Sequence, residues 1–159
     1  MVAPDLTAAS EANLTGANLT YATIAIPKAD GVVLYGINAP GSYWTDVGGA
    51  PPSTSLAGTS FVRANLLSAW FDCISTAAGS RFDGSDLRGI RIGCYSGFSL
   101  SNFTGADFSD AFLDGAEFRR VDLTGATFPL DVSNVFWNQV ICPDGTNSAD
   151  HSDTCVGHL

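Results

Sequence analysis

Seven carboxylates, Asp83, Asp86, Asp107, Asp110, Asp114, Glu117 and Asp122, crowd the middle of the chain, close enough for pairs to serve as general acid and base. That chemistry needs apolar surroundings to raise one member's pKa, and the neighbours here are Ser, Thr, Asn, Gly and Arg. A solvated face is the expected reading. Hydroxyls are plentiful, but both histidines, His151 and His158, lie in the last few residues, away from the Ser- and Thr-rich middle they would have to activate. Neither histidine has zinc-ligand spacing to a cysteine pair. Asp144, Asn147, Asp150 and Asp153 recur every third residue, whereas a calcium loop wants alternate ligands, a central Gly and a Glu at its end. No catalytic, cofactor-binding or metal-binding residues are therefore expected, and the chain is not expected to be an enzyme. Four cysteines remain, Cys73, Cys94, Cys142 and Cys155, an even number that suits disulfides and an oxidising compartment. Cys142 and Cys155 would close a short polar loop.

What must position these groups is a repeat of five. From Ser101 the chain reads SNFTG ADFSD AFLDG AEFRR VDLTG ATF, with large apolar centres at Phe103, Phe108, Leu113, Phe118, Leu123 and Phe128. A period of five fits neither an amphipathic helix nor a half-buried strand. A short fixed repeat signals a solenoid, whose units bury their apolar sides only by stacking. The phase continues upstream through Phe61, Leu66 and Phe71, then Phe82, Leu87 and Ile92. It reappears at Leu14, Leu19 and Ile24, with Ala12, Ala17 and Ala22 two residues earlier. Small residues two before each centre leave room for the large ones, and glycines such as Gly84 and Gly105 suit tight corners.

Over residues 12–24 and about 59–128 this pattern of Ala, Asn or Asp, Leu or Phe, and two variable positions resembles the pentapeptide repeat family. The resemblance implies an all-β fold, a right-handed quadrilateral β-helix with four pentapeptides per coil. Centres and small residues then point inward and the other positions face solvent. Vertical neighbours would lie about twenty residues apart, plus one at each insertion. Phe61, Phe82, Phe103 and Leu123 would form one wall, Leu66, Leu87, Phe108 and Phe128 the next, and Phe71, Ile92 and Leu113 the third. The fourth would hold Thr76 or Ala77, Gly97 or Phe98, and Phe118, and would take both extra residues as superposed bulges. In this register Cys73 lies beneath Cys94, within reach of a disulfide, with buried free thiols as the alternative.

Two segments depart from the repeat. In residues 25–58, counting by fives gives Ala29, Leu34, Ala39, Trp44 and Gly49 as centres, whereas Pro27, Pro40, Pro51 and Pro52 favour a loop, so both readings stand. Tyr35, Tyr43 and Trp44, with Tyr95 on the bulged wall, would form an aromatic binding surface; alternatively Trp44 plugs the core. Residues 1–128 are thus read as the β-helix with an irregular part at 25–58. Residues 129–159 are read as a cap and disulfide-closed tail, with Val135, Phe136 and Trp137 as plugs.

Only 14% of the chain is charged, yet the net charge is −9. No membrane-spanning stretch or signal segment is present, and the beginning MVAPD reads as a mature chain after removal of an export signal. The CPDGTNS…TCVGHL tail resembles that of exported bacterial pentapeptide repeat proteins. The expectation is a secreted or periplasmic, noncatalytic structural or interaction module, monomeric or joined end to end as a dimer. Its partner would be a protein or a glycan, and nucleic acid is not expected. Acidic family members mimic DNA and bind type II topoisomerase, which makes mimicry an alternative, but the acids in 81–122 are offset by Arg81, Arg88, Arg91, Arg119 and Arg120. Outward Thr15, Thr20, Thr104 and Thr124 suggest a repetitive ligand, although Asp83 interrupts the column of Thr104 and Thr124.

Overall fold

The computed structural model describes residues 12–25, 31–45, 54–71, 74–93 and 96–159. Cys73, Cys94, Tyr95, the Pro51-Pro52 break and the MVAPD start lie outside them. The described residues form a β-solenoid whose strands are all very short: β1 (Thr23–Ala25), β2 (Tyr43–Thr45), β3 (Thr54–Ser55), β4 (Trp70–Phe71), β5 (Ile74–Thr76), β6 (Arg91–Ile92), β7 (Gly97–Ser99), β8 (Glu117–Arg119) and β9 (Phe136–Asn138). One 3-10 turn, Ser148–His151, follows. Every strand pairing is parallel, as stacked coils require.

Four ladders run along the solenoid. Single bridges join Asn13, Val33, Ser60, Arg81, Asn102, Asp122 and Ile141 on the first wall, and Asn18, Asn38, Asn65, Asp86, Asp107 and Thr127 on the second. Sheet β1-β2-β4-β6 is the third wall, continued by a bridge from Arg91 to Phe112. The fourth carries β3-β5 and then β7-β8-β9. The expected stacking of centres holds on all four walls, and Trp137 extends the fourth beyond Phe118.

The corner chemistry explains the period. After most of the described centres the chain turns through a residue of positive φ, and the following small residue donates its N–H back to the centre's carbonyl, as Ala106 does to Phe103 at 2.9 Å. A type II turn has this form and favours glycine at its third position. Gly105 supplies it with φ +65°, while Asp110 and Leu100 adopt the same conformation at 58° and 57° despite the side-chain penalty. Where the small inward residue is Ser, its hydroxyl donates to a turn carbonyl, as Ser80 does to Ala77 and Ser85 to Phe82. Burial of these hydroxyls therefore leaves their donors satisfied.

Inside, phenyl rings stack vertically. Phe61 and Phe82 lie 4.8 Å apart at 9°, and Phe82 and Phe103 4.6 Å apart at 5°. On the second wall Asn65 donates to Asn38 Oδ1 at 2.8 Å, and Asn38 reaches Thr20 Oγ1 at 3.1 Å, so amides link successive coils outside the core as rings do within it.

Coil length departs from the expectation in instructive places. Rung neighbours Asn18 and Asn38 are 20 residues apart, but Asn38 and Asn65 are 27 apart. Residues 31–45 nonetheless form regular wall, with Val32, Leu34, Ile37, Ala39, Ser42 and Trp44 all buried, so the proline-rich stretch does not displace them. The fourth wall takes a bulge at Ser75, left over between the pairs Thr54–Ile74 and Ser55–Thr76, and the Ser75 hydroxyl donates to Thr54 O at 2.7 Å. One coil later Ile74 N–H donates to the Ser96 side chain, 3.2 Å, instead of to a backbone carbonyl.

Past Phe128 the expectation of a cap requires correction. The solenoid continues: Trp137 pairs in register with Phe118, Ile141 bridges Asp122, and Arg120 bonds Gln139 19 residues on. Val135 and Trp137 are buried as proposed, but Phe136 is 56% exposed because strand alternation turns it outward. Cys142 and Cys155 form a buried disulfide with Cα atoms 5.5 Å apart, closing the tail over the last coil.

Candidate functional site

Each wall presents an outward column one residue before its centres. On the first two walls these columns are Asn, Asp, Ser and Arg with occasional aliphatic residues. On the third, Thr23 is followed by Tyr43, Trp70, Arg91 and Phe112. Parallel pairing puts the last four Cα atoms directly above one another, about one strand spacing or ~4.8 Å per coil. Their inward neighbours Trp44, Phe71, Ile92 and Leu113 are anchored in the core. A rigid wall thus fixes the column.

Trp70 is 48% exposed and Phe112 53%. The Arg91 guanidinium lies between them, 5.1 Å from the Trp70 ring centroid and 4.1 Å from that of Phe112, a geometry in which the cation meets both negative ring faces. Tyr43 meets Trp70 edge-on at 6.0 Å and 65°. Arg91 forms no ion pair among the described residues, whereas Arg81, Arg88 and Arg119 pair with Asp83, Asp86 and Glu117. An open groove of about 370 Å³ runs along Trp70, Arg91, Gly93, Phe112 and Asp114. A second, of about 310 Å³, continues it past Asp114 to Asp131, Ser133 and Asn134. The side-chain and backbone donors of Ser133 hold the Asp131 carboxyl below its ordinary range.

The structure divides the expected aromatic surface. Tyr43, itself half-buried, belongs to the third-wall column. Tyr35 is exposed on the first wall, where Arg63 donates to its hydroxyl at 3.2 Å, so it does not share a face with Tyr43. Trp44 must be corrected: it is 1% exposed, packed on Phe61 and Phe71, with its indole N–H donating to Ser42 Oγ at 2.7 Å. Burial with a satisfied N–H makes it core. Trp70 and Phe112 were missed because the five-residue pattern marks only inward positions. Stepping back one residue from each third-wall centre would have found them.

Asp83, Asp86, Asp107, Glu117 and Asp122 are occupied locally. Asp86 accepts two bonds from Arg88, at 2.8 and 2.7 Å, and this guanidinium holds its carboxyl below the usual range. At Asp107, partial burial pushes the pKa up but is outweighed by donors from Ser109 and Thr127 and by Arg88, so the net shift is also downward. Asp122 accepts from Thr124 at 2.7 Å. None has the apolar isolation that general-acid work requires. In the tail, Asp144 accepts from Thr146 and meets His158 Nδ1 at 2.7 Å, while the His158 ring stacks on His151 at 3.9 Å. Asn147 caps the 3-10 turn and Asp153 accepts from Gln139 N–H. Asp144, Asn147 and Asp153 therefore point to separate local partners. Among the described residues no helix is long and apolar enough to cross a membrane.

Residues 99–129 match the pentapeptide repeats family, in eight copies. No curated protein sequence matches the chain. Among solved structures, the pentapeptide repeat protein Rfr23 from the cyanobacterium Cyanothece 51142 superposes with TM-score 0.59 and 17% identity, over 80% of this chain and 89% of that one. HetL, a pentapeptide repeat protein involved in heterocyst differentiation regulation in Nostoc, gives 0.46 at 18% identity over 87% and 90%. QnrB1, a plasmid-mediated fluoroquinolone resistance protein, gives 0.26 at 18% identity over 82% and 91%. At these identities the likeness to Rfr23 is one of fold. Residues 99–129 thus carry pentapeptide repeats, and the chain shares the β-solenoid fold of that cyanobacterial repeat protein.

Proposed function

We propose that the chain is a noncatalytic recognition module, working outside the cytoplasm, that engages its partner through the third wall. The observation that carries this reading is the registered column Tyr43, Trp70, Arg91 and Phe112, where large rings stay exposed on a wall whose inward residues are locked. Rings exposed in a row retain the burial free energy of aromatic surface until a partner covers them. The Cys142–Cys155 bridge supports an oxidising location. Topoisomerase mimicry is disfavoured because Arg81, Arg88 and Arg119 interrupt the acidic columns with close ion pairs.

The test compares wild-type protein with Trp70→Thr/Phe112→Thr in pull-downs from the envelope and medium of the source organism. Thr suits an outward strand position, as at Thr23. Material captured by wild type and lost with the double variant, but kept by Tyr35→Ala on another wall, is the expected result. Identical capture by all three proteins would remove the third wall from consideration.

A further inference from the structure

The chemistry of this column points further, and the inference rests on the third wall being the recognition surface. We infer that the column Tyr43–Trp70–Arg91–Phe112 binds a neutral, linear polysaccharide laid along the solenoid axis.

Four features select that ligand. The first is shape: the rings and the guanidinium stand in one file, a coil rise apart, on a flat parallel wall. A chain of sugar rings is a flat, narrow polymer and can follow such a file. The second is the alternation of apolar and polar surface. Trp70 and Phe112 offer half-exposed apolar rims, while Arg91, sandwiched between their faces, keeps its planar fork of N–H donors without a carboxylate partner among the described residues. A pyranose carries C–H faces and a rim of hydroxyls, which match the apolar ring rims and the guanidinium edge respectively.

The third is charge. The chain has net charge −9, and Asp114 and Asp131 line the groove that continues the column. Nucleic acid and anionic lipid are repelled by such a surface, whereas hydroxyls donate readily to carboxylates. The fourth is width. A stable protein interface buries roughly 800 Å² per partner over 20–30 residues, and this file is one side chain wide, flanked by Gly93 and Asp114. It is too narrow for a folded protein face and suited to a single polymer strand.

The experiment measures retention of the intact protein on microcrystalline cellulose and on chitin, and its mobility in native gels containing soluble neutral β-glucan. Polygalacturonate serves as the anionic comparator. Wild type is expected to be retained or retarded by at least one neutral polysaccharide. Trp70→Thr/Phe112→Thr should weaken this at least tenfold and Arg91→Ser severalfold, with the fold preserved and Tyr35→Ala unaffected. Should the double variant fail to fold, Arg91→Ser and the single Trp70→Thr carry the same comparison. Three results would overturn the inference. One is no interaction with any neutral polysaccharide, and another is interaction with polygalacturonate alone. The third is neutral binding that the ladder variants leave unchanged. If no glycan binds but pull-down capture still depends on Trp70 and Phe112, the glycan assignment fails while the third wall stands as the recognition surface.

Discussion

Replacing Phe82 by Ala tests the stacked core. Its side chain is 1% exposed, and its ring lies nearly parallel between Phe61 and Phe103 at 4.8 and 4.6 Å, with Phe98 and Phe71 at 6.1 and 6.2 Å. Truncating a buried Phe costs about 3–5 kcal/mol, and each lost ring pair contributes roughly 0.5–1.5 kcal/mol beyond area. With two parallel pairs lost, Phe82→Ala belongs in the upper part of that range. For a chain of this size each kcal/mol moves the midpoint by roughly 2–4 °C, so the expected drop is on the order of 10–20 °C. Because a solenoid is held by nearest-neighbour interfaces, a defect in the middle of the stack should also broaden the transition. Phe82→Leu keeps most of the volume and should lose about half as much. Phe112→Ala, on the exposed side of the third wall, loses the contact with Arg91 and should change stability by about 1 kcal/mol. Calorimetry or far-ultraviolet dichroism reads all three. A Phe82→Ala midpoint within about 2 °C of wild type, or equal losses from Phe82→Ala and Phe112→Ala, would refute the continuous ring stack.

Other outcomes follow from the same geometry. Gly105→Ala places a Cβ in open space at φ +65°, so the loss is backbone strain alone, about 1–2 kcal/mol, measurable by denaturant titration. Cys142→Ala/Cys155→Ala opens a loop of separation 13 and should lower stability by about 3 kcal/mol; an unchanged denaturation midpoint would mean that the tail does not secure the last coil. Asp144 has its carboxyl pulled from 3.8 to about 2 by the Thr146 hydroxyl and N–H and by His158. Its folded value being the lower, the stabilisation is present above pH about 4 and disappears as the pH falls through about 2. Melting curves in that window should show Asp144→Asn losing less stability than wild type on acidification; parallel curves would contradict the assignment.

The walls were legible because one inward residue in five must be large and the residue two before it small, and this constraint repeats wherever the chain stacks. Phe61, Phe82, Phe103 and Leu123 could be aligned once their spacing was combined with the four repeats per coil that the resemblance implies. The reading weakened where the residue type at an inward position is ambiguous. Ala39 is a small centre while Pro27, Pro40, Pro51 and Pro52 favour a loop, so residues 25–58 read equally well as loop or coil. After Phe128 the coil shortens to a 19-residue step, and Phe136, expected beside Trp137 as a plug, faces outward. The third-wall column escaped for a different reason. Outward positions carry no constraint within a pentapeptide, and Trp70, Arg91 and Phe112 become one feature only when coils are superposed. The bulge at Ser75 was legible as an added residue, but its bond to Thr54 O requires the three-dimensional register.

The recognition surface can be tested through Trp70 itself. Of the three tryptophans, Trp44 and Trp137 are buried and Trp70 is half exposed, so acrylamide should quench one emission class and leave two shielded. Titration with soluble neutral β-glucan should shield the quenchable class, and that class should be absent in Trp70→Phe. Quenching that is unchanged at saturating glycan, with the polymer bound to the protein by native gel, would place recognition elsewhere on the solenoid and contradict the account.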